Sequence, residues 1–218
     1  MSMPPEAASD GGGADPEEPV VVLIGAPGSG KTTVREQLLV DRPGTPVLSP
    51  DDERALLRER DLAAGRVPHG LQDYSLAALA RCADAAADLL AERRGYIADA
   101  TNLRRKERVA HVRAAHQAGL RAIAVLLPDL PVDALVARNA PRSELRRVPE
   151  DSLARHANRR SLIDAATLRQ EGFDDVVEID AAPSTAYEER STSLPGAERV
   201  GRAMLLPVHD HVDDREPS

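Results

Sequence analysis

Residues 20–33 read VVVLIGAPGSGKTT. Val20–Ile24 is an unbroken aliphatic run that ends at a glycine. Lacking polar alternation, it predicts a short strand buried on both faces of a parallel sheet. The glycines at 25, 28 and 30 let the next stretch of backbone wrap tightly, so that its N–H groups turn inward toward a common centre. A helix predicted from Lys31 to about Val40 points the positive end of its dipole at the same centre. Strand, glycine-rich turn and helix together make a cradle for an anion.

Gly25 to Thr32 fits the pattern G-x-x-x-x-G-K-[ST]. The pattern predicts a nucleotide triphosphate, ATP or GTP, held by Gly25, Ala26, Pro27, Gly28, Ser29, Gly30, Lys31, Thr32 and Thr33. Lys31 would place its ammonium on the β- and γ-phosphates, and the Thr32 hydroxyl would ligate Mg²⁺. The match is sharpened by composition: of 28 basic residues only Lys31 and Lys106 are lysines.

The 218 residues suffice for one domain with tails. The net charge of −8 lies in the tails. Residues 1–19 hold five acids and no base, 181–218 a net −3, and 20–180 balance to zero. We expect 1–19 and 181–218 to be disordered acidic tails, the latter with a short helix near Ala197–Leu205, around a domain at 20–180. A neutral domain gives no general attraction for nucleic acid. One Phe, three Tyr and no Trp leave few platforms for stacking bases. The single cysteine, Cys82, reads as a buried small residue on a helix, which points to a cytoplasmic location. Neither a signal peptide nor an apolar run long enough for a membrane is expected.

Outward from the cradle, strands alternate with helices. Short strands are predicted at Pro46–Ser49, Tyr96–Asp99, Arg121–Leu127 and Val176–Ile179. Helices are predicted from Asp51 (as N-cap) to Ala63, Leu71 to Arg93 with Gly95 as its stop, Leu103 to Ala118, Pro131 to Arg138, and Pro149 to Gln170. The alternation predicts an α/β fold, a parallel sheet with helices on both faces.

Four stretches in order, GAPGSGKTT at 25–33, SPDDER at 49–54, ADATN at 98–102 and RNAPRSELRRVP at 138–149, resemble P-loop kinases of the polynucleotide 5′-hydroxyl kinase type, within the adenylate-kinase-like group. The resemblance spans about residues 20–165. It implies a three-layer α/β/α P-loop NTPase fold with five parallel strands and a helical lid, and transfer of the γ-phosphate to a hydroxyl acceptor. By the same resemblance Asp51 is the general base, with Asp52 as its rival, and Arg54 contacts the acceptor's phosphate. Arg138 and Arg142 are the lid arginines that clamp the phosphates, with Arg146 and Arg147 as further candidates. Asp99 would share Mg²⁺ with Thr32, holding it through water, or would orient Arg54, although some relatives place that acid where this chain has Ala100. Thr101 and Asn102 either bind acceptor or cap the next helix.

The acceptor expected is a DNA or RNA 5′ end, with a small molecule as the alternative. A different class, an ATP-binding regulator that phosphorylates no acceptor, would need no base at Asp51. His209 and His211 in the tail, His111, His116 and His156 in helices, Tyr74 and Tyr96, and the Arg104-Arg105-Lys106 run all read as structural or solvated rather than functional.

Overall fold

A computed structural model describes residues 18–180; the two tails and the short helix expected at 197–205 lie outside them. The chain runs β1 (Val20–Ile24), α1 (Lys31–Asp41), β2 (Val47–Leu48), α2 (Pro50–Ala63), α3 (Ser75–Ala91), β3 (Ile97–Ala98), α4 (Arg105–Gln117), β4 (Ala122–Leu126), α5 (Val132–Asn139), α6 (Glu150–Arg160), α7 (Ala165–Gln170) and β5 (Asp175–Glu178). All five strands are parallel, in the order β2-β3-β1-β4-β5. This is the P-loop NTPase sheet with flanking helices.

Alternation along β1 builds two cores. Val20, Val22 and Ile24 meet Ala122, Ala124 and Leu126 and the residues of α4 and α7 on one face. Val21 and Leu23 meet Ile123, Val125 and Leu38 of α1 on the other. A third cluster joins Ala26 of the loop to Leu135 of α5 and Ala157 of α6, which seats the C-terminal helices over the loop.

Several boundaries differ from the expectation. Ser49, not Asp51, caps α2: its hydroxyl accepts from the Asp52 N–H at 3.3 Å, and Pro50 follows at the first helical position, where its missing N–H costs nothing. The long helix expected at 71–93 opens as a 3-10 turn over Leu71–Tyr74 before α3 begins. It ends at Ala91 with Glu92 as its C-cap, and the chain turns away at Arg93, which takes the left-handed conformation (φ 54°), rather than at Gly95. The helix expected from Leu103 starts later, at Arg105, so neither Thr101 nor Asn102 caps it.

The single helix expected over 149–170 is two. Arg160 reaches across the break, donating to the carbonyls of Leu127 and Ile163, each at 2.7 Å, and Asp164 caps α7 through the Thr167 N–H. Cys82 is half-buried rather than buried. Among the described residues no helix is long and apolar enough to cross a membrane.

Candidate functional site

The loop at residues 25–30 leaves the tip of β1, where the Gly25 N–H donates to the Thr101 carbonyl at 3.0 Å. A Cβ at Gly25 would stand 2.9 Å from the Leu127 Cβ, so no side chain fits there. Gly30, the residue before α1, has φ 104°, open to glycine at little cost. Inside the loop the Ser29 hydroxyl is buried with no hydrogen-bond partner. Lys31 folds back over the loop and donates to the carbonyls of Gly25 (3.0 Å) and Ala26 (2.9 Å). Burial lowers its pKa to about 8, with Asp99 opposing and Arg142 adding to the shift. A spare hydroxyl, a cation and a helix N-terminus converge, which is the donor set a polyphosphate requires.

Asp99 follows β3, its N–H tied to the Leu48 carbonyl at 2.9 Å. Its carboxylate is bound at 2.9 Å by the guanidinium of Arg35, one turn along α1 from Lys31, and the same Nη1 holds Asp52 at 2.8 Å. Burial raises the Asp99 pKa, against the pull of Arg35 and Lys31. Arg35 thus joins the strand-end acid to the first turn of α2. The sequence reading missed it, because one arginine among so many carries no signal until the fold brings 35, 52 and 99 together. Thr32 and Thr33 are exposed at the start of α1. Among the described residues no three His, Cys, Asp or Glu side chains converge on a metal site. The oxygen donors of Thr32 and Asp99 beside a polyphosphate suit a cation that keeps several waters, as Mg²⁺ does.

Asp51 and Asp52 diverge. Asp51 is open to solvent, 83% exposed, and pairs with Arg54 three residues on, whose side chain is largely covered. Burial lowers the Arg54 pKa. Asp52 faces Arg35 and the cradle. Asn102 is buried in a left-handed conformation (φ 48°). Its amide donates to the Leu23 carbonyl at 2.8 Å and the Ala98 carbonyl at 3.2 Å, which fastens β1 to β3 beneath the loop. Thr101 contributes its carbonyl to Gly25.

Arg138 lies on α5 and donates to the Gly28 carbonyl at 3.3 Å. Arg142 lies beyond the end of α5, so the two arginines do not share a helical face. A turn brings it near Lys31 instead, with the Arg142 N–H on the Asn139 carbonyl at 3.1 Å. That turn is held by buried Asn139, which exchanges two hydrogen bonds with the backbone of Val148 (2.8 and 3.1 Å). Arg147 closes the same loop by donating to the carbonyls of Ala140 and Arg142; Arg146 is exposed.

Residues 20–163, well over half the chain, match a family model described as an AAA domain. The chain belongs to that family. No curated protein sequence matches it. Among solved structures, the Pnkp1/Rnl/Hen1 RNA repair complex contains a chain of which 56% aligns with 84% of this one, at 21% identity and TM-score 0.55. The PezAT toxin-antitoxin system of Streptococcus pneumoniae aligns over 86% of this AAA-family chain and 85% of its own, at 14% identity and TM-score 0.52. A gluconokinase from Sinorhizobium meliloti 1021 aligns over 87% and 91%, at 21% identity and TM-score 0.47. At these identities the likeness is one of fold, a P-loop kinase-like fold.

Proposed function

We propose that this protein is an ATP-dependent kinase that phosphorylates a hydroxyl acceptor, by preference the 5′-hydroxyl of a polynucleotide. The observation that carries the reading is the Asp51–Arg54 pair on the first turns of α2, linked through Asp52 and Arg35 to Asp99 and the phosphate cradle. A cradle alone would serve any nucleotide-binding protein; a solvent-open carboxylate at Asp51, next in the chain to the Asp52 that Arg35 ties to Asp99, suits a transferase.

Mg·ATP, or Mg·GTP, would supply the phosphoryl group, and its cation would offset charge on the phosphates. The backbone N–H groups of residues 25–30 and the Ser29 hydroxyl hold the donor. Lys31 exchanges the carbonyls of Gly25 and Ala26 for phosphate oxygens. Thr32 and Asp99 would hold the cation through its oxygens and waters. Arg54 grips an acceptor phosphate, which frees Asp51 to accept the proton of the attacking hydroxyl. Lys31, Arg138 and Arg142 offset charge on the moving phosphoryl oxygens. Asp52, already bound by Arg35, orients this wall rather than taking the proton. Asn102 holds the sheet end, and Thr101, whose carbonyl anchors Gly25, keeps its hydroxyl as a candidate contact for the acceptor.

The test is transfer of labelled γ-phosphate to a panel of 5′-hydroxyl DNA and RNA oligonucleotides, nucleosides and sugars. D51N should lose at least 100-fold in kcat while binding Mg·ATP with unchanged heat in calorimetry; K31A should lose the binding. If D52N rather than D51N abolishes transfer, the roles of the two acids are reversed. If wild-type protein binds ATP and phosphorylates nothing, the kinase reading fails in favour of a nucleotide-dependent regulator. Label on the sugars but not the oligonucleotides would assign a small-molecule acceptor.

A further inference from the structure

Two buried side-chain polar atoms have no hydrogen-bond partner among the described residues: the Ser29 hydroxyl and Nε of Arg58. Ser29 lies in the phosphate cradle, where a nucleotide completes it. Arg58 lies elsewhere, on α2, and the reading above does not use it. A buried donor without an acceptor is destabilising, so the orphan at Arg58 calls for an occupant.

The surroundings narrow what that occupant is. Asp51, Arg54 and Arg58 are spaced i, i+3, i+7 and form one stripe along α2. The other arginines with carboxylate partners on this α2–α3 wall are satisfied: Arg54 by Asp51, Arg66 by Asp61, Arg81 by Glu53. Arg58 pairs with no carboxylate among the described residues. Beyond it, the Tyr74 hydroxyl donates to Asp61 at 2.6 Å. Asp61, bound by both Tyr74 and Arg66, closes the far end of the stripe and makes no hydrogen bond to Nε of Arg58.

We propose that Arg58 is a second phosphate subsite, one step beyond Arg54, so that the acceptor is a single-stranded polynucleotide end carrying at least two phosphates. This rests on the hydroxyl-kinase reading of Asp51 and Arg54. Four residues of helix advance about 6 Å, comparable to the step between neighbouring phosphates of an extended strand. The order along α2 is then hydroxyl at Asp51, first phosphate at Arg54, second at Arg58. Guanidinium forks suit phosphate oxygens. The near absence of aromatic residues fits a grip on backbone rather than on bases, and therefore little sequence preference.

The experiment compares a nucleoside 3′-monophosphate, which offers one phosphate, with a dinucleotide 3′-phosphate, which offers two, each with a free 5′-hydroxyl and each as DNA and RNA. Affinity is measured for the full chain loaded with Mg²⁺ and a non-hydrolysable ATP analogue, and KM by label transfer. Wild-type protein should favour the two-phosphate acceptor by about tenfold or more. R58Q should collapse that ratio toward one, with R58K recovering part of it; R54Q should weaken both acceptors. On longer single strands R58Q should also flatten the dependence of log K on log salt by about 0.7, the slope of one phosphate contact. A circular dichroism melt checks that R58Q folds.

A wild-type protein indifferent to the second phosphate, or an R58Q ratio equal to that of wild type, overturns the proposal. Selective binding without any transfer would leave Arg58 as a phosphate subsite and remove the kinase reading instead.

Discussion

Lys31 was legible because its neighbours spell a loop, yet its resting position was not. In the folded protein the ammonium lies against two carbonyls and is desolvated, which lowers its pKa from 10.5 to about 8. Phosphates restore the charged form, so nucleotide binding above pH 8 should draw in a proton. Calorimetry at pH 8.5 in buffers of different ionisation enthalpy should show uptake of up to about three-quarters of a proton per ATP. K31M, assayed at concentrations high enough to force binding, should show none. The linkage has the opposite sign in the free protein. Between pH 8 and 10.5 the unfolded chain binds more protons at this site than the folded one, so Lys31 makes stability rise with pH across that window. K31M should flatten the rise in a denaturant series. Arg35 shows the other side of legibility: no spacing rule ties 35 to 52 and 99, and only the sheet brings them within 3 Å of one nitrogen.

At the scale of elements, the five strands were readable from aliphatic runs, and the helices from their caps and breakers. The misses came where two signals competed. In SPDDER the run of acids points to Asp51 as the cap, with acids filling the first turn. The fold uses Ser49, with Pro50 next, because a Pro fixes φ for the first turn and gives up no needed N–H. This shift places Asp51 inside the helix with its side chain in solvent, and turns Asp52 toward Arg35. S49A should therefore cost about 1 kcal/mol in chemical denaturation. It should also lower acceptor turnover more than ATP affinity, since the cap sets the first turn that carries both acids. Equal loss of both would mean that the cap serves only stability. The split of the expected 149–170 helix has one local signal, Asp164 as the N-cap of α7, which lies inside an otherwise helical pattern; the break before it is held by Arg160 reaching the Leu127 carbonyl 33 residues away.

Across the whole molecule, the deepest charged pair lies under the site. Arg108 of α4 grips Glu171 with two bonds, at 2.7 and 2.6 Å, both side chains 3% exposed, and its third nitrogen donates to the Asn102 carbonyl at 3.2 Å. Asn102 in turn holds Leu23 and Ala98. A continuous polar path thus leads from the α7–β5 junction to the strand tips that carry the cradle and Asp99. Sequence could not show it, because Arg108 and Glu171 are far apart in the chain and sit among ordinary helix residues. Removing one partner leaves a buried charge, so E171Q or R108M should cost about 3–5 kcal/mol in urea denaturation. The double variant R108M/E171L removes both charges and should regain most of that stability. Its Asn102 carbonyl, however, has lost its anchor. The restored fold should therefore still bind ATP more weakly than wild type, with the deficit seen in calorimetry at a temperature well below its melting point. Full recovery of ATP binding in the double variant would mean that the pair supports stability alone and does not position the loop.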